Sequence, residues 1–128
     1  MVNIQEPSER RKHKRFQAEE GAFAVLRPAW PHSTILGQII DVGMGGLAFR
    51  CVASKDRSYG SSELSIVVAN HGFYLNKLPV QTVWDFEIAT MPFASMTPRR
   101  CNVQFGDMTH NQVSQLQYFI QNHTEHNV

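Results

Sequence analysis

The sequence predicts a mainly β domain: a six-stranded antiparallel β-barrel with a C-terminal α-helix and a flexible, basic N-terminal arm. Two patterns indicate this fold class. Six short runs of β-branched and aliphatic residues are separated by turn-forming residues, and a single amphipathic stripe follows near the C-terminus. The chain of 128 residues is about one domain long and shows no internal repeat. Short strands with hairpin-like connections imply a sheet closed into a small barrel, with the helix covering an opening.

The six predicted strands alternate with segments rich in glycine, proline and polar residues. They cover residues 22–26, 34–42, 47–52, 63–69, 73–84 and 100–105. Pro79 is expected to break the fifth strand. In its second half Val80, Thr82 and Trp84 share one face, because side chains alternate along a strand. Residues 85–98 contain two prolines and two methionines, and we expect a long loop there.

Glycine is concentrated at one chain reversal, between the second and third predicted strands. The segment Asp41–Gly46 has glycine at three of its last four positions. Glycine adopts the positive φ that a tight reversal needs without a Cβ clash, so this segment is predicted to close a β-hairpin. Gly37, earlier in the second strand, marks a bulge or a tight bend.

One helix is predicted at the end of the chain, over residues 109–121. Thr109 and Gln112 have the spacing of a capping box, in which each side chain pairs with the other residue's backbone amide. The apolar stripe behind it consists of Val113, Leu116, Phe119 and Ile120. Beyond Asn122 the residues are polar and fraying is expected. The predicted organisation is a tail, one domain and a second tail, at residues 1–8, 9–123 and 124–128.

The charge of the chain is unevenly distributed. Residues 9–15 hold five of the twelve Lys and Arg residues and one acid, Glu9, so the remainder has a net charge of −3. This distribution argues against a broad basic face that coats duplex nucleic acid. It permits a local site for an anion on a cationic arm.

Cysteine and hydropathy patterns indicate the compartment. Cys51 and Cys101 form no CxxC pair, and we expect them to be buried, reduced thiols. The N-terminus is polar and then basic, without the apolar region of a secretory signal. No apolar run approaches the ~20 residues that span a bilayer. The expectation is a soluble, cytoplasmic protein without membrane insertion.

Signatures of catalysis and of metal binding are weak. There is no P-loop, HExxH motif or paired-carboxylate pattern, and scattered loop residues are the only source of a Ser/His/Asp set. His123 and His126 have a spacing that suits a metal, but the sequence around them offers no cysteine or acidic partner set. The prediction is therefore no enzyme, no resident cofactor and no metal site.

Two motifs in this order resemble those of the PilZ domain family. Arg11–Arg15 matches its RxxxR element, and Asp41–Gly46 resembles its (D/N)xSxxG element. Residues 100–109 look like its last strand and the run into its helix. The likeness covers roughly residues 9–121. It implies a six-stranded barrel that binds cyclic di-GMP, a bacterial second messenger.

The resemblance assigns ligand-binding roles residue by residue. It places Arg11 and Arg15 at the RxxxR positions, Asp41 at the acidic position and Gly46 at the final glycine. Gly43 stands where the family has serine, so a hydroxyl near the ligand is lost. One neutral hydrogen bond contributes about 0.5–1.5 kcal/mol, which predicts weaker binding rather than none.

The chemistry of these residues agrees with such a ligand. Arginine presents a planar fork of donors to phosphate oxygens or to the O6/N7 edge of guanine, and its plane stacks on purines. A carboxylate accepts from guanine N1–H and N2–H₂, which a phosphate-only site would not need.

Three further positions are candidates around the motifs. Arg10 adds a third guanidinium, which in this family accompanies the uptake of two stacked ligands. Trp84 either stacks on guanine or serves as a barrel tryptophan. Arg99 and Arg100 either add positive potential or are simply solvated.

The function that these expectations favour is a non-enzymatic receptor whose arm is disordered when empty and wraps over bound cyclic di-GMP. Its output would pass to an unidentified downstream protein. One alternative is a PilZ-like module that binds a protein partner and no nucleotide. Another is an RNA-binding barrel, which needs exposed aromatic residues that this sequence scarcely offers. Nucleic acid is therefore not an expected partner.

Overall fold

The computed structural model describes residues 13–28, 33–54, 61–89 and 95–127. It contains eight strands and one helix in this part of the chain. In order these are β1 (Phe16–Ala18), β2 (Ala22–Pro28), β3 (Ile35–Val42), β4 (Gly46–Ser54), β5 (Ser61–Val68), β6 (Phe73–Glu87), β7 (Met96–Phe105), α1 (His110–Asn122) and β8 (Thr124–Asn127).

Six of these strands close into an antiparallel barrel, as the sequence predicted. They follow the order β2-β5-β6-β7-β4-β3, and pairing between β2 and β3 completes the ring. The short strands β1 and β8 continue the sheet outward from β3. Closure leaves no free edge among the six barrel strands, which protects their backbone groups from pairing with other chains.

The barrel interior is filled by alternate residues of the strands. Leu47, Phe49, Leu64 and Leu75 are fully buried there. Burying each such side chain contributes about 1.5–3 kcal/mol. Helix α1 packs on the same core through Leu116 and Phe119, which are also fully buried.

The predicted capping box at the start of α1 is confirmed. The Thr109 hydroxyl accepts from the Gln112 backbone amide at 3.1 Å, and the Gln112 side chain accepts from the Thr109 amide at 3.0 Å. Gln112 Nε2 also donates to the carbonyls of Asn76 and Lys77 at 3.2 and 3.1 Å. One side chain thus caps the helix and fixes it to β6.

The two strands flanking the predicted 85–98 loop are longer than predicted. Strand β6 runs to Glu87 and β7 begins at Met96, so both reach into the segment assigned to the loop. Charged residues of the two strands form a diagonal contact there, since Arg99 is opposite Glu87 and Asp85 is opposite Cys101. Arg99 Nε donates to Asp85 Oδ1 at 2.8 Å, and both side chains are nearly buried. Complementary charges therefore extend a hairpin that the polar pattern alone did not predict.

The expectation that the chain frays after Asn122 is wrong. Thr124–Asn127 forms β8 and pairs with β1, with Ala18 opposite Thr124 and Phe16 opposite Asn127. A polar segment is accepted there because β1 offers it the unpaired backbone groups of an edge, so pairing does not depend on apolar side chains.

The irregularities of the barrel strands lie beside the positions predicted for them. Pro79 continues β6; the ladder with β5 shifts at Lys77, which has a φ of 55°. Strand β3 is bulged between Ile39 and Asp41 rather than at Gly37. A bulge between Thr82 and Trp84 interrupts the alternation, so the shared face predicted for Val80 and Thr82 does not extend to residue 84.

Both cysteines are buried thiols, as predicted. A hydrogen bond with Cys51, burial and the negative charge of Asp85 raise the pKa of the Cys101 thiol above its ordinary range. The neutral thiol is therefore the stable form, and it is a poor nucleophile. No helix in the described part of the chain has both the length and the apolar character required to cross a membrane.

Candidate functional site

A buried ion pair joins the N-terminal arm to the barrel. Arg15 Nη1 donates to Asp41 Oδ1 at 2.7 Å, and the two side chains are 11% and 6% exposed. Asp41 follows the β3 bulge and pairs with Ala48 of β4, whose neighbours Leu47 and Phe49 point into the core. Asp41 therefore lies on the outer face of the barrel. It is buried there because the arm covers it.

A second guanidinium approaches the same carboxylate from β7. Arg100 Nη2 lies 3.7 Å from Asp41 Oδ2, and its side chain is 31% exposed. At this distance the contact is an ion pair rather than a hydrogen bond. The carboxylate thus lies between two cations, and the site carries a net positive charge that suits an anion. Arg100 was only an uncertain candidate in the sequence.

Ladder pairing aligns one residue from each of β3, β4, β7 and β6 in a row that begins at Asp41. Asp41 faces Ala48, Ala48 faces Asn102, and Asn102 faces Trp84 of β6. Ala48 is fully buried but does not belong to the core cluster, and its small side chain keeps the row shallow. Asn102 Oδ1 is buried and has no hydrogen-bond partner among the described residues. A buried acceptor without a partner is costly in the absence of a ligand or water.

The glycine turn after Asp41 closes tightly. Gly43 N donates to Gly46 O at 2.9 Å, and Phe105 N donates to Gly45 O at 2.9 Å. The expectation that these glycines are needed for positive φ is wrong, since among the described residues only Gly21 and Gly72 are glycines with positive φ.

Close backbone approach is the reason for glycine at this turn. A Cβ added at Gly43 would lie 2.3 Å from the carbonyl oxygen of Lys14, and one at Gly46 would lie 2.2 Å from that of Val103. Gly43 therefore makes room for the arm, and Gly46 makes room for β7.

The described part of the arm, which begins at His13, lies on the glycine turn and on β3. Lys14 lies on Gly43, the His13 ring lies beside Gly45, and Gln17 pairs with Asp41 in the ladder. Between arm and helix lies an open cleft of about 360 Å³. Its lining includes His13, Lys14, Phe16, Met44, Gln117 and Ile120.

The structure thus brings together four of the seven residues that the sequence singled out: Arg15, Asp41, Gly43 and Gly46. Arg10 and Arg11 lie outside the described residues. Trp84 is located by its backbone, opposite Asn102. Sequence reasoning missed Asn102 and undervalued Arg100, although both occupy alternate, outward positions of one predicted strand. That alternation indicates that both side chains face outward, but it does not indicate which neighbouring strand brings them to Asp41.

A Gly43→Ser variant tests what the turn accommodates. From the sequence, this change is expected to restore a hydroxyl and tighten binding, provided that φ is negative and a Cβ fits at this position. The structure predicts the opposite, because the new Cβ would collide with the Lys14 carbonyl and displace the arm. We expect faster amide exchange across residues 14–18 and weaker ligand binding, with a barrel that stays folded. Hydrogen exchange measured by mass spectrometry checks this, and unchanged protection of the arm would contradict it.

A larger, open cleft of about 610 Å³ lies elsewhere on the barrel. Its lining includes Arg27, Glu63, Tyr74, Asn76 and Lys77. Hydrogen bonding to Arg27 and to Ser65 lowers the pKa of Tyr74. It contains none of the residues of the two motifs, so size alone does not identify the candidate site.

Comparison with known proteins gives similarity in structure only. No family model matches the chain, and no curated protein matches it by sequence. Among solved structures, the PilZ domain of YcgR from Escherichia coli, solved with cyclic di-GMP, superposes with a TM-score of 0.66 at 18% identity. That match covers 88% of this chain and 89% of the other.

Two further structures extend the comparison. The PilZ domain of CeSA from a cellulose-synthesizing bacterium matches with a TM-score of 0.54 at 17% identity, over 84% of this chain and 94% of that one. The Bacillus subtilis inhibitor of motility, MotI, matches with a TM-score of 0.56 at 18% identity, over 92% of this chain and 51% of that one. The strand order, the terminal helix and these superpositions agree on one architecture: the chain has the fold of a PilZ domain.

Proposed function

We propose that this protein is a non-enzymatic receptor for cyclic di-GMP that acts as a bacterial signalling effector. The observation that carries the proposal is the Asp41 carboxylate held between Arg15 and Arg100 beside a glycine turn. It is supported by the fold, since the PilZ domain of YcgR was solved with this ligand. The ligand has two phosphates and two guanines, and the site offers complementary groups to both.

Binding would exchange the partners of Asp41. A guanine donates through N1–H and N2–H₂, and a carboxylate with two oxygens accepts both. To reach Asp41 the base must displace Arg15 Nη1 from Oδ1. The released guanidinium then pairs with a phosphate or stacks on the purine. Neither charge is left without a partner, so the exchange requires no unpaired buried ion.

The other candidate residues extend this site. Arg11 and Arg10 precede Arg15 on the arm and supply further guanidinium groups for the phosphates. Trp84 lies one ladder position beyond Asn102, in the row that contains Asp41. The buried Oδ1 of Asn102 would receive a donor from the ligand or from a bridging water. Movement of the arm on binding would be the signal that a downstream protein reads.

The alternative is a module that keeps the barrel and binds a protein partner without nucleotide. Two observations favour it. Arg15 already satisfies Asp41, and Gly43 supplies no hydroxyl. The ligand must therefore compete with an existing buried ion pair.

Calorimetric titration of the full chain with cyclic di-GMP separates the two functions. We expect saturable binding by the wild type and at least about tenfold weaker binding of cyclic di-AMP, whose adenines lack the guanine N1–H and N2–H₂ donors. Arg11→Ala should abolish detectable binding. Arg27→Ala is the matched control, because Arg27 is an exposed arginine that donates to Ser65, away from the motifs.

The outcome of this titration is decisive in either direction. The proposal would be overturned if titration of the wild type gave no saturable heat of binding, or if the two dinucleotides bound equally well. Either result would favour the interaction module.

A further inference from the structure

Three side chains that commonly bind metals meet where the β1–β2 turn, the β5–β6 turn and the end of α1 come together. Glu19 lies in the β1–β2 turn, His71 in the β5–β6 turn and His123 at the C-cap of α1. Their ligand atoms all lie within 4.8 Å of one another. His123 Nδ1 is 2.7 Å from Glu19 Oε1, and His71 Nε2 is 3.8 Å from the same oxygen.

Two of the three side chains are held near each other by contacts within the protein. The His123 side chain is 7% exposed, and its ring contacts those of Phe73 and Phe119, with centroids 5.6 and 5.8 Å apart. The backbone adds a second link, because Glu19 N donates to His123 O at 3.0 Å. Binding would therefore cost little ordering entropy at Glu19 and His123.

The third side chain is free to adjust. His71 is 57% exposed, and its ring centroid lies 5.0 Å from that of His123. Zn–N and Zn–O bonds of about 2.0–2.2 Å in a tetrahedron place ligand atoms about 3.4 Å apart. Rotation of the exposed imidazole can move Nε2 by the few tenths of an ångström that its distance of 3.8 Å from Glu19 Oε1 requires. The hydrogen bond of 2.7 Å between His123 Nδ1 and Glu19 Oε1 must open by about 0.7 Å when both atoms bind the cation.

We propose that Glu19, His71 and His123 form a binding site for a zinc-type divalent cation. Two imidazoles and one carboxylate are nitrogen and oxygen ligands that Zn²⁺ and its first-row neighbours accept, whereas Mg²⁺ and Ca²⁺ prefer oxygen alone. The exposed side of His71 leaves the fourth position to water. Unlike the pair His123 and His126 considered from the sequence, this set joins segments far apart along the chain.

Such a cation would clamp three parts of the fold. It would tie the segment that follows β1 to the end of α1 and to the β5–β6 turn. Glu19 comes four residues after Arg15, so the clamp would also restrain the base of the arm. The site does not depend on whether the chain binds cyclic di-GMP.

Zinc titration of the full, untagged chain against a chromophoric chelator tests this site. We expect one Zn²⁺ per chain and a rise in Tm on loading, because a ligand that binds only the folded state stabilises it. His71→Ala should weaken binding about tenfold or more without unfolding the protein, since His71 is exposed. His110→Ala is the matched control, because His110 is exposed at the start of α1 and lies outside the cluster.

Cobalt substitution provides a second measurement. Co²⁺ bound to these nitrogen and oxygen ligands in a tetrahedron should give intense visible absorption that Glu19→Gln reduces. Zinc binding that is unchanged in both His71→Ala and Glu19→Gln would overturn the proposal. So would a wild-type chain that binds no zinc, or binding that is lost in His126→Ala but kept in His71→Ala.

Discussion

Arg15→Ala is expected to lower the free energy of unfolding by about 3 kcal/mol. The change leaves Asp41 buried without the guanidinium that donates to it, and breaking one side of a buried ion pair typically costs about 3–5 kcal/mol. We take the lower end because Arg100 remains 3.7 Å from the other carboxylate oxygen. Urea denaturation of the variant and the wild type measures the difference. A flexible arm, which the sequence predicts, would contribute little to stability.

The double variant Arg15→Ala/Asp41→Ala is the control for this effect. Removing both charges removes the unpaired ion, so we expect the double variant to be more stable than Arg15→Ala alone. Ligand binding by these variants should be measured at temperatures well below their midpoints, so that unfolding does not imitate loss of affinity. A single variant as stable as the wild type would mean that the arm does not bury Asp41 in solution.

Gly46→Ala is expected to destabilise the barrel by about 2–3 kcal/mol. The added Cβ would lie 2.2 Å from Val103 O and 3.2 Å from Gln104 Cα, both backbone atoms of β7. Strand β7 is paired on both sides, with β4 and β6, and so it has little freedom to move away. Overpacking of this kind typically costs about 1–3 kcal/mol. Thermal and urea denaturation measure the loss.

Gly106→Ala is the matched control for Gly46→Ala. Its added Cβ would lie 3.4 Å from the nearest atom, a Pro79 side-chain carbon, which is ordinary contact. We expect little change in stability there. Equal losses at Gly46 and Gly106 would show that the cost comes from glycine's conformational freedom rather than from the approach of β7. At Gly43 the obstacle is instead the Lys14 carbonyl, in the part of the arm before β1, and we expect the arm to move away more easily than β7 does.

The existence of the elements could be predicted, but their ends could not. Alternation and turn residues predicted all six barrel strands, and the spacing of Thr109 and Gln112 predicted the capped helix. The ends of β6 and β7 depend on the Asp85–Arg99 pair across the ladder, which local periodicity does not contain. Strand β8 depends on the edge offered by β1. In both cases the deciding partner is distant in the sequence.

The candidate site, too, could be predicted only in part from the sequence. Motif spacing identified Arg15, Asp41 and the two glycines, because a motif is a local pattern. Arg100 and Asn102 reach the site only through the register of β4 with β7, and no local signal encodes a register. The reason for glycine at the turn was predicted wrongly because it also lies in a distant segment: a Cβ at Gly43 or Gly46 would collide with the backbone of the arm or of β7.

The pairing of β1 with β8 has a mechanical consequence. Phe16 and Asn127 are ladder partners, so chain entering at β1 and chain leaving at β8 pull on neighbouring residues. Tension between them would break the β1–β8 ladder one residue pair at a time. Each strand of the closed barrel is instead paired with a neighbour along both sides. Under load β8 would peel away first. Strand β1 would follow and lift Arg15 off Asp41. A pulling force on the flanking chain and a molecule bound at Asp41 would therefore act on the same short strand. The bound molecule would change the force needed to detach β1, and the force would change the ligand concentration needed to fill the site.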